Sequence, residues 1–130
     1  MATVLIIEDN PHNMKLASFL LENAGYTTLQ ANDAQAGIAL AHAHRPEIIL
    51  MDIQLPGMDG LTATQMIKAD ASLRHSKVFA LTAFAMKGDE AKIRAAGCDG
   101  YIAKPFNYRD FLETIAAVLP AGMAAGQQGE

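Results

Sequence analysis

The sequence has 130 residues, enough for one compact domain whose core needs no metal or disulfide to hold it together. Hydrophobic residues make up 51% of the chain and charged residues only 18%, which excludes an intrinsically disordered protein. The formal net charge is −4 and Lys and Arg form no cluster, which argues against direct binding to DNA or RNA.

No stretch reaches the roughly 18 to 20 uninterrupted apolar residues of a membrane span, and the N-terminus turns acidic after a few apolar positions. We therefore expect a cytoplasmic protein without a membrane span. The single cysteine, Cys98, cannot form an internal disulfide, which agrees with a reducing compartment. We expect it to be a small buried residue, because that role is commoner than a catalytic one.

Five short apolar runs, rich in β-branched residues, alternate with stretches of helical period along the chain. They predict strands at 3–7, 26–31, 47–51, 77–82 and 100–103. Three of these runs are apolar almost without interruption, which is typical of strands covered on both faces in a parallel sheet. The spacing leaves room for one helix after each strand.

Capping and stop residues predict where these helices begin and end. Asn10 is a typical N-cap with Pro11 at the first helical position, and Gly25 and Pro46 follow the first and second helices. The predicted helices begin at Pro11, cover 33–44, begin near Asp59, cover 86–95 and cover 108–119.

Five consecutive βα units predict the α/β class, with a doubly wound parallel sheet of five strands, five helices and right-handed crossovers. We expect this single domain to cover residues 1–119. Residues 120–130 lack a helical stripe and are expected to form a flexible C-terminal tail.

Polar residues follow the predicted strands where ligands bind in an open α/β sheet. They are Glu8 and Asp9 after strand one, Asp52 directly after strand three, Thr82 at the end of strand four and Lys104 after strand five. Each has an ordinary alternative: the acid pair could cap the first helix, the threonine could be a plain strand residue and the lysine could be solvated. Their occurrence at matching strand ends favours one shared site.

Carboxylates about 4 Å apart repel by about 4 kcal/mol per pair at an effective dielectric near 20, so this cluster needs protons or a divalent cation. Oxygen ligands without a nearby His or Cys favour Mg²⁺ or Mn²⁺ over zinc. A metal held by Glu8 and Asp9 beside Asp52 makes Asp52 a candidate nucleophile for phosphoryl transfer. Lys104 would neutralise phosphoryl oxygens, and the Thr82 hydroxyl would donate to one of them.

The motifs IIEDN, LMDIQLPGMDG, ALTAFA and YIAKPF occur in this order. With them the chain resembles the receiver domains of two-component response regulators, the CheY-like fold, across about residues 2–119. Within that family it is most similar to single-domain DivK-type regulators. The resemblance implies strand order 2-1-3-4-5 and a stand-alone response regulator that signals by phosphorylation-dependent protein–protein binding.

The resemblance also implies roles for residues at the acid cluster. Asp52 would accept a phosphoryl group from a histidine kinase or a phosphotransfer protein. Mg²⁺ would bind to Glu8, Asp9, Asp52 and the main-chain carbonyl of Gln54, and Lys104 would contact the phosphoryl group. The acid pair is Glu-Asp where many receivers have Asp-Asp, which lengthens one metal arm without changing its charge.

Further roles implied by the resemblance concern the surroundings of that cluster. Thr82 and Tyr101 would form a pair that switches together, and the peptide bond before Pro105 would be cis. Gly60 would shape the loop after the phosphoacceptor with a positive φ. We expect the bulk of Phe84, two residues after Thr82, to hinder attack by water and slow dephosphorylation.

Two surfaces are expected to meet protein partners. The first helix, with His12, Met14, Lys15 and Phe19, is the expected docking face for a phosphodonor histidine. The face formed by helix four, strand five and helix five is the expected site for downstream targets. Neither nucleic acid nor membrane is an expected partner.

Two other functions are compatible with the same fold. An aspartyl-phosphate phosphotransferase or phosphatase acting on a small substrate usually needs an acid two residues after the nucleophile, where this chain has Gln54. A flavodoxin-like cofactor carrier needs a phosphate loop rich in glycine and hydroxyl groups after strand one, where this chain has EDNPHN. The residues therefore favour a signalling module.

Overall fold

The computed structural model describes residues 2–83 and 87–119, which form a five-stranded parallel sheet covered by helices on both faces. The strands are β1 (Thr3–Ile7), β2 (Thr27–Ala31), β3 (Ile48–Asp52), β4 (Lys77–Thr82) and β5 (Gly100–Ala103). The helices are α1 (Pro11–Asn23), α2 (Ala34–His44), α3 (Gly60–Ala69), α4 (Lys87–Ala95) and α5 (Tyr108–Ala117), and a 3₁₀ turn (Ala71–Leu73) precedes β4. These elements confirm the predicted α/β class.

The strand order in the sheet is β2-β1-β3-β4-β5, and every neighbouring pair is parallel. This confirms the order 2-1-3-4-5. The order reverses between β1 and β3, because the chain first adds β2 on one side of β1 and then β3 on the other. The loops after β1 and β3 therefore flank the position where ligands bind in this class of sheet.

Alternate residues along the central strands supply two separate layers of core. In β1, Leu5 and Ile7 pack with residues of α2, α3 and α4, whereas Val4 and Ile6 pack with residues of α1 and α5. β3 and β4 divide their side chains in the same way. Burial on both faces explains why these strands are apolar at successive positions in the sequence.

Polar side chains begin four of the described helices. Asn10, Asp33, Asp59 and Asn107 each accept a hydrogen bond from a backbone N–H in the first turn of α1, α2, α3 and α5. These bonds satisfy donors that have no partner within the helix. Asn10 therefore caps α1, which leaves the preceding acid pair available for another role.

None of the described helices has the length and apolar character needed to cross a membrane.

Some predicted boundaries differ from the structure. Asp52 is the last residue of β3 rather than the first residue after it, because its backbone still pairs with β4. β2 begins at Thr27, one residue late, and α5 ends at Ala117, two residues early. The 3₁₀ turn was not expected, and the Asp70 carboxylate stabilises it by accepting the Ser72 N–H.

Three predictions lie outside the described residues. They are the start of the fourth helix at Met86, the role of Phe84 in phosphoryl lifetime, and the flexible tail at 120–130.

The loop between β3 and α3 needs glycine at two positions for different reasons. Gly57 has φ +76°, in the left-handed region that favours glycine. Gly60 is not among the positive-φ residues, so the expected positive φ belongs to Gly57 instead. A Cβ at Gly60 would overlap the main-chain carbonyl of Asp52 and lie 2.7 Å from the Ile53 Cα. Gly60 thus allows the start of α3 to pack directly against the end of β3.

Candidate functional site

The acid pair follows β1 at the carboxyl edge of the sheet. The Glu8 N–H donates to the Ala31 carbonyl at 3.0 Å, which continues the pairing of β1 with β2 by one residue. The Glu8 side chain is buried, and its Oε2 accepts a hydrogen bond from the Asn10 N–H at 3.1 Å. Asp9 is exposed. The two neighbouring acids therefore lie in different environments, one inside the protein and one facing solvent.

Asp52 ends β3, the strand next to β1. Its side chain is buried, and its Oδ1 accepts a hydrogen bond from the Gln54 N–H at 2.9 Å. Glu8, Asp9 and Asp52 each offer one carboxylate oxygen, and these three oxygens lie within 4.8 Å of one another. The structure thus brings the three acids together, although they come from segments more than 40 positions apart.

Lys104 reaches the same cluster from the end of β5. The main-chain N–H of Lys104 donates a hydrogen bond to the Thr82 carbonyl at 2.8 Å. The peptide bond between Lys104 and Pro105 is cis. Its Nζ lies 2.9 Å from Glu8 Oε1 and 3.3 Å from Asp52 Oδ2, and only 16% of the side chain is exposed. One ammonium group therefore contacts both buried carboxylates.

The charges in this cluster are only partly balanced, since three carboxyl groups lie together and one ammonium pairs with two of them. The pKa of Asp52 is raised above its ordinary value, chiefly by burial and then by the neighbouring Glu8 carboxyl group, while the Gln54 N–H and Lys104 oppose the rise. Glu8 Oε1 is buried and, although Lys104 is close, no described donor meets it in hydrogen-bond geometry. The excess negative charge and this oxygen suit an additional cation.

Thr82 and Tyr101 lie on neighbouring strands beside the cluster. Thr82 is buried at the end of β4, whereas Tyr101 in β5 is half-buried. Tyr101 is paired with Ala80, two residues before Thr82, so both side chains face the same side of the sheet. Tyr101 packs at the border of the core layer shared with α2, α3 and α4. The two residues therefore lie near each other on the same face of neighbouring strands.

Sequence reasoning missed the way in which the main chain holds the acids. Glu8 and Asp52 each accept a backbone N–H from the residue two positions later. For Asp52 the signal is present in the sequence, because an Asp at the start of a turn commonly bonds the backbone two residues on. For Glu8 no comparable signal exists, and the bond depends on the turn into α1.

The Gln54 side chain is exposed, so the described contact of Gln54 with the site is made by its main chain.

The groove beside α1 is a second feature of this edge of the sheet. It has a volume of about 690 Å³, and Asp9, Lys15 and Phe19 are among the residues that line it. Met14, also expected on the docking face, is mostly buried but still lines this groove.

Solved structures of other proteins share this fold. The chemotaxis protein CheY4 of Vibrio cholerae superposes with a TM-score of 0.87 at 28% identity, covering 92% of this chain and 99% of that one. The receiver domain of the sensor histidine kinase PA1611 of Pseudomonas aeruginosa PAO1 superposes with a TM-score of 0.83 at 34% identity, covering 89% and 95%. That receiver domain has a magnesium ion coordinated in its active site cleft.

Sequence comparison identifies closer relatives. The chain is 50% identical over 117 residues to the polar-differentiation response regulator DivK of Brucella anthropi, covering 90% of this chain and 95% of that protein. DivK of Brucella ovis matches with the same identity and coverage. Residues 4–116 match the family described as the response regulator receiver domain. The chain therefore belongs to the family of response regulator receiver domains.

Proposed function

We propose that the chain is the phosphoacceptor of a two-component phosphorelay, and that Asp52 accepts a phosphoryl group from a histidine kinase or a phosphotransfer protein. The observation that carries this proposal is the meeting of three acids and Lys104 at the carboxyl edge of the sheet. The buried Asp52 carboxylate lies at the end of β3, the position where ligands bind in this class of sheet. Its raised pKa is the kind of perturbation that functional sites display.

The residues of the cluster fit Mg²⁺, with Mn²⁺ as the alternative. Glu8, Asp9 and Asp52 supply oxygen atoms only, which is the ligand type preferred by hard divalent cations. The buried Glu8 Oε1 meets no described donor in hydrogen-bond geometry and has only the Lys104 ammonium 2.9 Å away, which supports a position for a cation there. We propose that these three residues and the main-chain carbonyl of Gln54 hold the ion. When bound, it would neutralise charge on the phosphoryl oxygens.

In the proposed transfer, an Asp52 carboxylate oxygen forms a bond to phosphorus while the bond from phosphorus to the donor histidine nitrogen breaks. The Lys104 ammonium, already within reach of Asp52, would pair with a phosphoryl oxygen. The hydroxyl of Thr82 would donate to another oxygen, as the end of β4 lies next to that of β3. Gln54 is neutral and exposed, so the chain offers no acid there for the chemistry of a phosphatase acting on small substrates.

We propose two partner surfaces for this reaction and its output. The groove beside α1 is lined by Asp9 of the acid cluster and by Phe19, which is 63% exposed, and these features support docking of the phosphodonor there. The face of α4, β5 and α5 would bind downstream proteins. Inward movement of Thr82 on phosphorylation would open space for the half-buried Tyr101 and so alter that face.

Incubation with Mg²⁺ and a small acyl phosphate, followed by intact-mass measurement, tests the proposal. Wild type should gain one phosphoryl group, and Asp52→Asn should gain none. Asp33→Asn is a matched control, because Asp33 is an exposed acid at the same edge of the sheet that caps α2 and Asn caps equally well. Phosphorylation of Asp52→Asn to the wild-type level, or none in wild type, would contradict the proposal.

A further inference from the structure

Folding brings basic side chains together at the amino edge of the sheet, where the strands begin and opposite the end that carries Asp52. The end of α2 and the turn before β4 meet at this edge. Ser76 Oγ donates to the Pro46 carbonyl at 2.6 Å, and the Lys77 N–H donates to the Glu47 carbonyl at 3.0 Å. These two segments carry five exposed basic side chains, which we name the amino-edge patch: His42, His44, Arg45, Arg74 and His75.

Two histidines of the patch contact groups beside Arg45. His42 Nε2 lies 3.1 Å from Asp70 Oδ2, and the His75 Nε2–H donates to the Arg45 carbonyl at 3.0 Å. The pKa of Asp70 is lowered, chiefly by hydrogen bonds from Ser72 and then by the nearby His42 and Arg45. The Arg45 guanidinium therefore lies in the field of the same carboxylate as His42.

The carboxylates at this edge leave the arginines of the patch unpaired. Asp70 is occupied by the contacts described above, and Glu47 Oε1 accepts the Thr3 N–H at 2.7 Å, which directs it toward β1. In the described part of the chain, neither Arg45 nor Arg74 forms an ion pair. Two guanidinium groups are therefore available to carboxylates outside the chain.

The backbone at Arg45 gives independent support. Arg45 ends α2 with φ 49° and ψ 61°, in the left-handed region, where a helix usually has Gly or Asn. The end of the helix therefore gains nothing from a long cationic side chain at this position. Since the guanidinium also makes no described ion pair, its use within the chain does not explain it.

We propose that the amino-edge patch is a docking site for an acidic segment of a partner protein, and that it binds this segment more tightly as its imidazoles gain protons. The charged groups that face these imidazoles are Asp70, Glu47 and the two arginines. Carboxylates and guanidinium groups do not ordinarily change charge between about pH 5 and 8, whereas histidine does. The patch lies at the opposite edge from Asp52, so the inference does not rest on the proposed phosphorylation.

The chemistry of the patch favours an acidic protein segment over nucleic acid or membrane. Guanidinium groups form paired hydrogen bonds with carboxylates. The net charge of −4, together with Asp70 and Glu47 at the patch, opposes a long phosphate backbone or an anionic membrane surface. None of the exposed large apolar side chains in the described residues belongs to the patch, so it offers no group for insertion into lipid.

The pH dependence provides the first test, with a fluorescein-labelled oligoglutamate peptide as the probe and fluorescence anisotropy at low ionic strength. The full chain should bind the peptide at least about fivefold more tightly near pH 6 than near pH 8. His42→Gln combined with His75→Gln keeps an N–H donor at each position and should lose most of this difference. His12→Gln, at an exposed histidine of α1, should keep it. Equal pH dependence in the double variant and wild type would overturn the inference.

The arginines provide the second test. Arg45→Gln combined with Arg74→Gln should weaken peptide binding near pH 6 at least about fivefold. The matched control is Lys92→Gln combined with Arg109→Gln, which removes the same charge from exposed positions on α4 and α5 and should change binding by less than about twofold. If the first pair does not fold, as judged by circular dichroism, Arg74→Gln alone should weaken binding more than Arg109→Gln does.

Equal weakening by the patch pair and the control pair would show that only net charge matters and would overturn the inference. So would tighter binding of an oligothymidylate, or of phosphatidylglycerol vesicles, than of the peptide. Asp52→Asn should bind the peptide as wild type does. Failure of peptide binding therefore leaves the acyl phosphate experiment unaffected, and the two proposals fail separately.

Discussion

The Asp52 carboxylate is charged at a cost to folding. Its pKa is raised from an ordinary value of 3.8, mainly by burial and then by the adjacent Glu8 carboxyl group. The folded state therefore holds this proton more tightly than the unfolded state does. The free energy of unfolding should then fall as the pH rises through the folded pKa of Asp52, and the full stability should be present only below the ordinary value.

Removal of this charge should stabilise the metal-free protein. In a buffer containing a chelator, Asp52→Asn should unfold in urea near pH 7 with a free energy about 0.5 to 2 kcal/mol above that of wild type. The difference should disappear below the ordinary pKa of 3.8, where the wild-type carboxyl group is neutral in both states. Asp33→Asn should follow wild type throughout. A less stable Asp52→Asn at neutral pH would show that the Lys104 ion pair outweighs the burial cost.

Among the contacts between elements, the start of α3 packs closely against the end of β3, which carries Asp52. Gly60→Ala should lower the free energy of unfolding by about 2 to 4 kcal/mol, because its Cβ would overlap the Asp52 carbonyl and the main chain cannot move cheaply. Gly57→Ala is the comparison, since its Cβ would meet no atom within 4 Å and only the left-handed conformation costs energy, about 1 kcal/mol. Urea unfolding measures both. Equal costs would show that the loop relaxes around Gly60.

At the scale of the whole molecule, the proposed metal ligands join two separate segments of chain. A cation that binds only when these segments are folded together should stabilise the whole domain. Mg²⁺ at ten times its dissociation constant should raise the free energy of unfolding of wild type by about 1.4 kcal/mol. Asp52→Asn should lose this response and Asp33→Asn should keep it. A wild type indifferent to Mg²⁺ would contradict the proposed metal site.

Features of the fold that depend on the spacing of apolar residues or on helix-capping residues could be predicted from the sequence. Residues such as Leu5 and Ile6 mark a strand buried on both faces, and Asn10 with Pro11 marks a helix start, because these signals depend on neighbours along the chain. The burial of Cys98 was also expected and is observed. Features that depend on how closely two elements pack against each other were missed or misplaced. One of these is the close packing of Gly60, at the start of α3, against the end of β3.

The alternation of strands and helices and the set of residues at the strand ends can both be predicted from the amino-acid order, since they follow from local patterns and from the geometry of parallel sheets. The contact of the Lys104 ammonium with both the Glu8 and the Asp52 carboxylates could be found only in the folded structure. These contacts, at 2.9 Å and 3.3 Å, join segments that are far apart in the chain. No local pattern in the sequence encodes them, because they arise only when all five strands are packed in their final register.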